Sequence, residues 1–246
     1  MNPGISFLAV ILGYLVGSVS FTRIMMAIFA PGRPISKVEV AVEGTDKTYN
    51  VTAMGASTAS MVLGRKAGCL IGWLDILKGT VPTLVARLLY PDQPYYLLVA
   101  LACMVGHNWP IYYRFKGGRG ISVFYGGLLV IDWLGVIVTA LGGFLLGFFI
   151  LRNYLLIFLA GLWLLIPWMW LRTHDWSYLA YAIAVNVLFV LASIPDIQQY
   201  RRVQKEVTIT PEMVMETNPM GRGMLRIGRK LGIYKEAPAA SEQEQD

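Results

Sequence analysis

Residues 121–171 read ISVFYGGLLVIDWLGVIVTALGGFLLGFFILRNYLLIFLAGLWLLIPWMWL, with charge only at Asp132 and Arg152. A helix that crosses a bilayer needs ~20 predominantly apolar residues. This stretch is too long for one crossing and too apolar for the surface of a soluble domain. Asp132 and the pair Arg152–Asn153 divide it into Ile121–Ile131, Trp133–Leu151 and Tyr154–Leu171. The first piece is short, which suits a tilted helix or one partly buried in protein. Before it lie the apolar runs Gly4–Phe29, Ala67–Tyr90 and Tyr95–Tyr113, the last two parted by a turn at Pro91, Asp92 and Pro94. After it comes Trp176–Ile194. The fold class expected is an all-α membrane protein with seven transmembrane helices. Residues 1–200 form the membrane domain and 201–246 a tail, partly disordered, whose end at 236–246 is Ala/Glu/Gln/Ser with little to bury.

Composition agrees. The 246 residues have a mean hydropathy of +0.55 and are 56% hydrophobic. Only 15% are charged, against ~25% in soluble chains. Disordered chains, disulfide-stapled secreted domains and basic nucleic-acid-binding modules are excluded. The first run reads as a retained first helix and not as a secretory leader, because no Lys or Arg precedes it and Arg23 stands near its far end. Cys69 and Cys103 lie in apolar runs without ligand spacing, so they read as free thiols and not as a zinc site.

The cations set an orientation. Of 21 Lys+Arg, all but Lys78, Arg87 and Arg172, hence 18, fall on or near one side. The positive-inside rule makes that side cytoplasmic. A plasma-membrane protein is expected, multi-pass, with its N-terminus outside and its tail inside. The long loop 30–66 alternates apolar and polar residues over Val38–Val51 around Glu43-Gly44-Thr45-Asp46, which reads as a small β-hairpin. In the tail, Met220–Tyr234 is basic and rich in Gly and Met, a pattern that suits an anionic lipid surface.

Four segments carry possible chemistry. The first is Phe115-Lys116-Gly117-Gly118-Arg119-Gly120-Ile121-Ser122. Its glycines let backbone N–H groups converge on an anion. The helix that follows turns its free N–H groups and positive dipole end to the same place. Lys116 and Arg119 add full charges. The alternative is a flexible basic turn that obeys topology. The second is Asp75 and Lys78, three residues apart on one helix face and ~12 Å into the second span from Ala67. An ion pair there supports a site or, alternatively, only positions helices. The third is Gly106-His107-Asn108-Trp109-Pro110, where His107 is a proton carrier or an interhelical hydrogen-bonder. The fourth is Gly55-Ala56-Ser57-Thr58, followed by Gly64-Arg65-Lys66: hydroxyls and cations for a second anion, or an ordinary entry turn.

At these residues the chain resembles the bacterial acyl-phosphate-dependent glycerol-3-phosphate acyltransferases, the small integral-membrane type. The likeness rests on Gly13-Tyr14-Leu15-Val16-Gly17-Ser18, Gly55-Ala56 with Leu63-Gly64-Arg65-Lys66-Ala67-Gly68, Leu74-Asp75-Ile76-Leu77-Lys78-Gly79, and Gly106-His107 through Gly120. These stretches are collinear and cover about residues 5 to 130. The resemblance implies transfer of an acyl group from acyl phosphate to glycerol 3-phosphate at the cytoplasmic face, giving lysophosphatidate for phospholipid synthesis. Membrane lipid is the medium, and no metal, cofactor or nucleic acid is implied. The resemblance gives His107, Asp75 and Lys78 the catalytic roles. Substrate binding falls to Gly55, Ser57, Thr58, Arg65, Lys66, Lys116, Gly117, Gly118, Arg119, Gly120 and Ser122. The chain departs from the family pattern at Val51, Ala53 and Met61. After the last span, Ile194–Arg201 lacks the family's His. These departures motivate the alternative of a non-enzymatic member that binds lipid or a protein partner.

Overall fold

In a computed structural model, the residues described are 1–32, 38–41, 48–51, 54–150, 154–204, 215 and 219–233. The hairpin turn at Glu43–Asp46, the divider Arg152–Asn153 and the tail end 236–246 lie outside them.

The first apolar run is not one helix, as expected, but two. α1 (Pro3–Gly17) starts at Asn2, whose side chain accepts from the N–H groups of Gly4 and Ile5, with Pro3 at the first helical position. It stops at Ser18. α2 (Phe21–Phe29) restarts from Ser20, which accepts from the Arg23 N–H. Hydroxyls at 18 and 20 compete with the helical ladder for backbone partners. The break leaves the Val19 carbonyl without a helical donor at membrane depth, where it must find another partner.

β1 (Val38–Ala41) and β2 (Thr48–Val51) pair antiparallel, with Val38 opposite Val51 and Ala41 opposite Thr48. The remaining chain is helical: α3 (Ala56–Leu63), α4 (Arg65–Leu89), α5 (Tyr95–Asn108), a single 3₁₀ turn at Ile111–Tyr113, α6 (Ile121–Ile131) and α7 (Trp133–Leu145). After α7 come a π-turn at Leu146–Ile150, α8 (Tyr154–Thr173), α9 (Trp176–Gln204) and α10 (Pro219–Lys230). Helix α9 runs past the expected end at Ile194 and carries Pro195 within it.

The chain is a multi-pass membrane protein. Four stretches among the described residues, not seven, are long and apolar enough to cross a bilayer: Pro3–Phe29, Arg65–Leu89, Trp133–Ile150 and Trp176–Gln199. Ile121–Ile131 and Phe158–Thr173 are apolar but shorter.

Lipid gives no hydrophobic force between helices, so close packing of small residues must hold them. A Cβ on Gly17 would strike the Cys103 backbone, and one on Gly106 the Tyr14 carbonyl, so α1 and α5 touch nearly backbone to backbone. Gly79 against Val123 and Gly126 against Ile76 do the same for α4 and α6. The buried cluster around Met104, Phe124, Leu128, Leu165, Met169 and Tyr181 joins α5, α6, α8 and α9. Gly126→Ala is therefore expected to cost about 1–3 kcal/mol, read as a lower Tm in detergent. An unchanged Tm would mean that α4 and α6 can part freely.

Two of the cations on the minority side have partners at the molecule's far end. Arg87 donates to the last carbonyls of α6, at Val130 and Ile131. Arg172 Nε lies 3.7 Å from Asp132 Oδ2. Asp132 also caps α7 through the Leu134 N–H and accepts from Trp168 Nε1 at 2.7 Å. The residue read as a divider thus fastens the α6–α7 turn to α8.

Candidate functional site

The site is built on the break in the first helix. Lys78 lies one turn past Asp75 on α4, and both are buried. Its Nζ donates to the free Val19 carbonyl at 2.7 Å, stands 3.1 Å from Asp75 Oδ1 and 3.1 Å from His107 Nδ1. The contact with Asp75 is an ion pair without the alignment of a hydrogen bond. An ammonium has only hydrogens to give, so Nδ1 of His107 accepts and its proton sits on Nε2. His107 Nδ1 is also 3.7 Å from Asp75 Oδ1. The structure brings together the three residues read as a catalytic set.

The glycine loop closes over this triad. The His107 carbonyl accepts from the Gly118 N–H at 3.1 Å. The imidazole lies so close beneath Gly118 that a Cβ there would collide with Nε2 and would come 2.8 Å from the Met54 carbonyl oxygen. Gly117 is enclosed by the His107 and Asn108 carbonyls and Pro110. Gly120, at φ +78°, makes the left-handed turn into α6, a conformation that glycine adopts without a Cβ penalty. The first-turn N–H groups of α6, at Ile121, Ser122 and Val123, have no intrahelical acceptor. They face the loop with the positive end of the helix dipole.

Other segments meet here. The Met54 N–H donates to the Gly117 carbonyl at 3.0 Å, joining the residue before Gly55 and α3 to the loop. Arg23 Nη2 donates to the Lys116 carbonyl at 2.8 Å, and the guanidinium lies 4.9 Å from the Tyr113 ring centre. Tyr14 Oη donates to the Trp109 carbonyl at 2.9 Å, and the Ile111 N–H reaches Ser18 Oγ at 3.4 Å. The stretch Gly13–Ser18 thus supports the turn that carries the loop.

Several expected binding residues take other positions. Arg119 is clamped by Asp196 of α9, through Nε at 2.9 Å and Nη2 at 2.7 Å. Among the described residues, Arg65 and Lys66 make no hydrogen bond or ion pair with the glycine loop. Lys66 instead lines a separate hollow of about 490 Å³ with Met25, Phe29 and Val62. Ser57 is exposed and its carbonyl accepts from Ser60, while Thr58 is buried. Lys116 is exposed and Ser122 half-buried.

Sequence reasoning missed Arg23, Asn108 and Asp196. Asn108 is 3% exposed, its amide oxygen lies against Gly120, and neither amide end has a partner among the described residues. Its place directly after His107 was the available signal. Asp196, the acid in the stretch Ile194–Arg201 otherwise marked by its missing His, was the signal for the partner of Arg119.

An apolar groove of about 660 Å³ runs between α1 and α4. Leu12, Val16, Leu77, Val81 and Val85 line its length. Lys78 and Phe21 stand at one end, Tyr90 and Tyr95 at the other. Among the described residues, its one charged lining group is the Lys78 ammonium.

Comparison with known proteins gives consistent findings. A family model described as glycerol-3-phosphate acyltransferase matches residues 7–203. A glycerol-3-phosphate acyltransferase of Shouchella clausii is 37% identical over 127 residues, 50% of this chain and 55% of that one. One from Halalkalibacterium halodurans is 36% identical over 124 residues, 50% of this chain and 54% of that one. The chain thus spans about half the length of these two relatives. Glycerol-3-phosphate acyltransferase 3 of Dehalococcoides mccartyi strain 195 is 27% identical over 208 residues, 78% of this chain and 90% of that one. The fold is similar to crystal structures of PlsY, an integral membrane glycerol 3-phosphate acyltransferase. Its glycerol 3-phosphate form gives a TM-score of 0.66 at 24% identity, covering 81% of this chain and 93% of that one.

Proposed function

Since the chain belongs to the glycerol-3-phosphate acyltransferase family, we propose that it transfers an acyl group from acyl phosphate to the sn-1 hydroxyl of glycerol 3-phosphate. The observation that carries this reading is the meeting of an apolar groove with the Lys78–Asp75–His107 triad beneath a glycine loop. Few reactions need a lipid-length channel that ends at a fixed cation and a set of backbone amides. A long acyl chain fits the groove between α1 and α4. Its carbonyl and phosphate would then lie at the membrane–water boundary.

The chemistry needs little from the protein. The hydroxyl oxygen of glycerol 3-phosphate attacks the acyl carbon, the bond from that carbon to the phosphate oxygen breaks, and inorganic phosphate leaves. The hydroxyl proton is released to solvent or to the departing phosphate. Positioning two anionic reactants supplies much of the rate. Donors aimed at the developing negative charge supply a further part. In this reading, the first-turn amides of α6, Lys116 and the buried Asn108 amide hold phosphoryl oxygens. His107, with its proton on Nε2, donates upward at the loop. Asp75 and Lys78 act through His107, fixing its tautomer and ring plane. Arg119, held by Asp196, fixes the loop to α9 and reaches substrate only if that clamp opens. Ser57, Thr58, Arg65 and Lys66 belong to a second, more exposed approach for the soluble substrate.

The same reading takes α5, α6 and α8 as three further crossings, which makes seven with the four long spans. The N-terminus is then outside and the tail inside, with the β1–β2 pair on the cytoplasmic face, in accord with the cation distribution. The ends agree: the Asn2 N–H donates to Tyr95 Oη at 2.6 Å, so the start of α1 meets the start of α5.

The test is turnover of the purified chain with acyl phosphate and glycerol 3-phosphate. Lysophosphatidate and inorganic phosphate should appear in equal amounts. No product, with a related enzyme active in the same assay, would remove the proposal.

A further inference from the structure

Helix α10 begins beyond the family match, which ends at residue 203. It has two dissimilar faces. Leu225 is 1% exposed and packs with Met215 and Phe148, with Phe144, Met224 and Ile233 around them. Phe144 and Phe148 stack at 5.1 Å, so the π-turn after α7 supplies an aromatic seat. The outward face carries Arg226 and Lys230, one turn apart, and beside them Ile227 (52% exposed) and Leu231 (59% exposed). Positions four apart lie on one stripe, so a cationic row runs next to an apolar row. Residues 219–233 contain no Asp or Glu. Among the described residues, Arg226 and Lys230 have no hydrogen bond or ion pair.

The seat fixes where this face lies. The glycine loop precedes α6, and α6 and α7 run out and back across a turn at Asp132. The end of α7, with α10 upon it, therefore returns to the level of the glycine loop. In the seven-span reading proposed above, on which this inference rests, that level is the boundary between bilayer and water.

We infer that α10 is a surface anchor that selects anionic phospholipid, laying Ile227 and Leu231 among acyl chains while Arg226 and Lys230 pair with headgroups. An interfacial helix sinks about 5–10 Å into the boundary region, which is the depth that a row of exposed Ile and Leu beside a row of cations requires. A soluble partner would have to be both strongly acidic and apolar to match the two rows. An anionic bilayer has that composition and is already adjacent. The inference does not rest on acyl transfer, because its readout is lipid contact and not turnover.

The experiment uses the full chain in vesicles of phosphatidylglycerol and phosphatidylcholine, with a fluorophore on Ile227→Cys in a Cys69→Ala background. Bromine is placed on the acyl chains of one lipid or the other. Each cation near an anionic surface contributes a factor of about five, so bromine on phosphatidylglycerol should quench several-fold more than bromine on phosphatidylcholine. Arg226→Gln with Lys230→Gln should remove the difference. So should about 1 M salt, which shortens the screening length to ~3 Å and needs no substitution. Equal quenching by both lipids would overturn headgroup selection. Absence of quenching by either would overturn the anchor and assign the face to a protein partner.

Discussion

Lys78→Met is expected to destabilise the protein by about 3–5 kcal/mol, the usual result of removing one partner from a buried ion pair, and to abolish acyl transfer. Lys78 makes three contacts at once: Val19 carbonyl, Asp75 and His107. Without the ammonium, the carbonyl exposed by the α1–α2 break has no donor at membrane depth. Among the described residues the Asp75 carboxylate then keeps only His107, at 3.7 Å, and the imidazole best answers it by moving its proton to Nδ1. That change strips Nε2 of its hydrogen beneath Gly118. Stability and activity should therefore separate in a second variant. Asp75→Asn with Lys78→Met removes both charges, and exchange of a whole buried pair for neutral groups is often near neutral in stability. Its Tm in detergent should recover most of the loss, while kcat stays at background. If the single substitution left Tm unchanged, the pair would not be holding the break. If the double variant recovered turnover, the triad would have no part in setting the tautomer of His107.

Much of this arrangement was legible in the sequence, and the reason is the solvent. A bilayer tolerates few charges, so Asp75 and Lys78 stood out within an apolar run and their spacing put them on one face. The boundaries of α6 followed from Gly120 and Asp132 alone. The break at Ser18–Ser20 was not legible, because hydropathy does not change across it and Ser occurs inside membrane helices. Its cause is tertiary: a buried ammonium on another helix donates to the freed carbonyl. The loop's convergence on His107 was half legible. Glycine content announced a close backbone approach but not which side chain approaches. Charge patterns gave the cations Arg65, Lys66 and Arg119 but not their partners. The partner of Arg119, Asp196, stands 77 residues away, a distance that no local spacing announces. Spans counted from apolar runs also exceeded those that length and composition support, since short helices buried among others need not cover the full hydrocarbon thickness themselves.

Gly118→Ala should lower kcat/KM by on the order of 100-fold while leaving the fold in place. A methyl at that position would overlap His107 Nε2 and approach the Met54 carbonyl oxygen at 2.8 Å and His107 Cδ2 at 3.0 Å. Either the ring tips or the loop lifts, by something near 1 Å, and a displacement of that size can cost about 100-fold when reactants must be held in line. The fold should lose about 1–3 kcal/mol, because the imidazole edge can yield and the Met54 carbonyl need shift only a few tenths of an ångström. Gly117→Ala makes the contrast. Its methyl would meet the His107 and Asn108 carbonyls and Pro110 Cδ at 2.6 Å, which are backbone and ring atoms that cannot swing aside. That variant should lose stability as well as rate. Comparing the two by Tm and by steady-state kinetics separates a packing glycine from one that sets the gap between His107 and the loop. A Gly118→Ala enzyme with unchanged kcat/KM would show that the imidazole and the loop do not share the reacting substrate, and the proposed site would have to be rebuilt around Asn108 and the first turn of α6 alone.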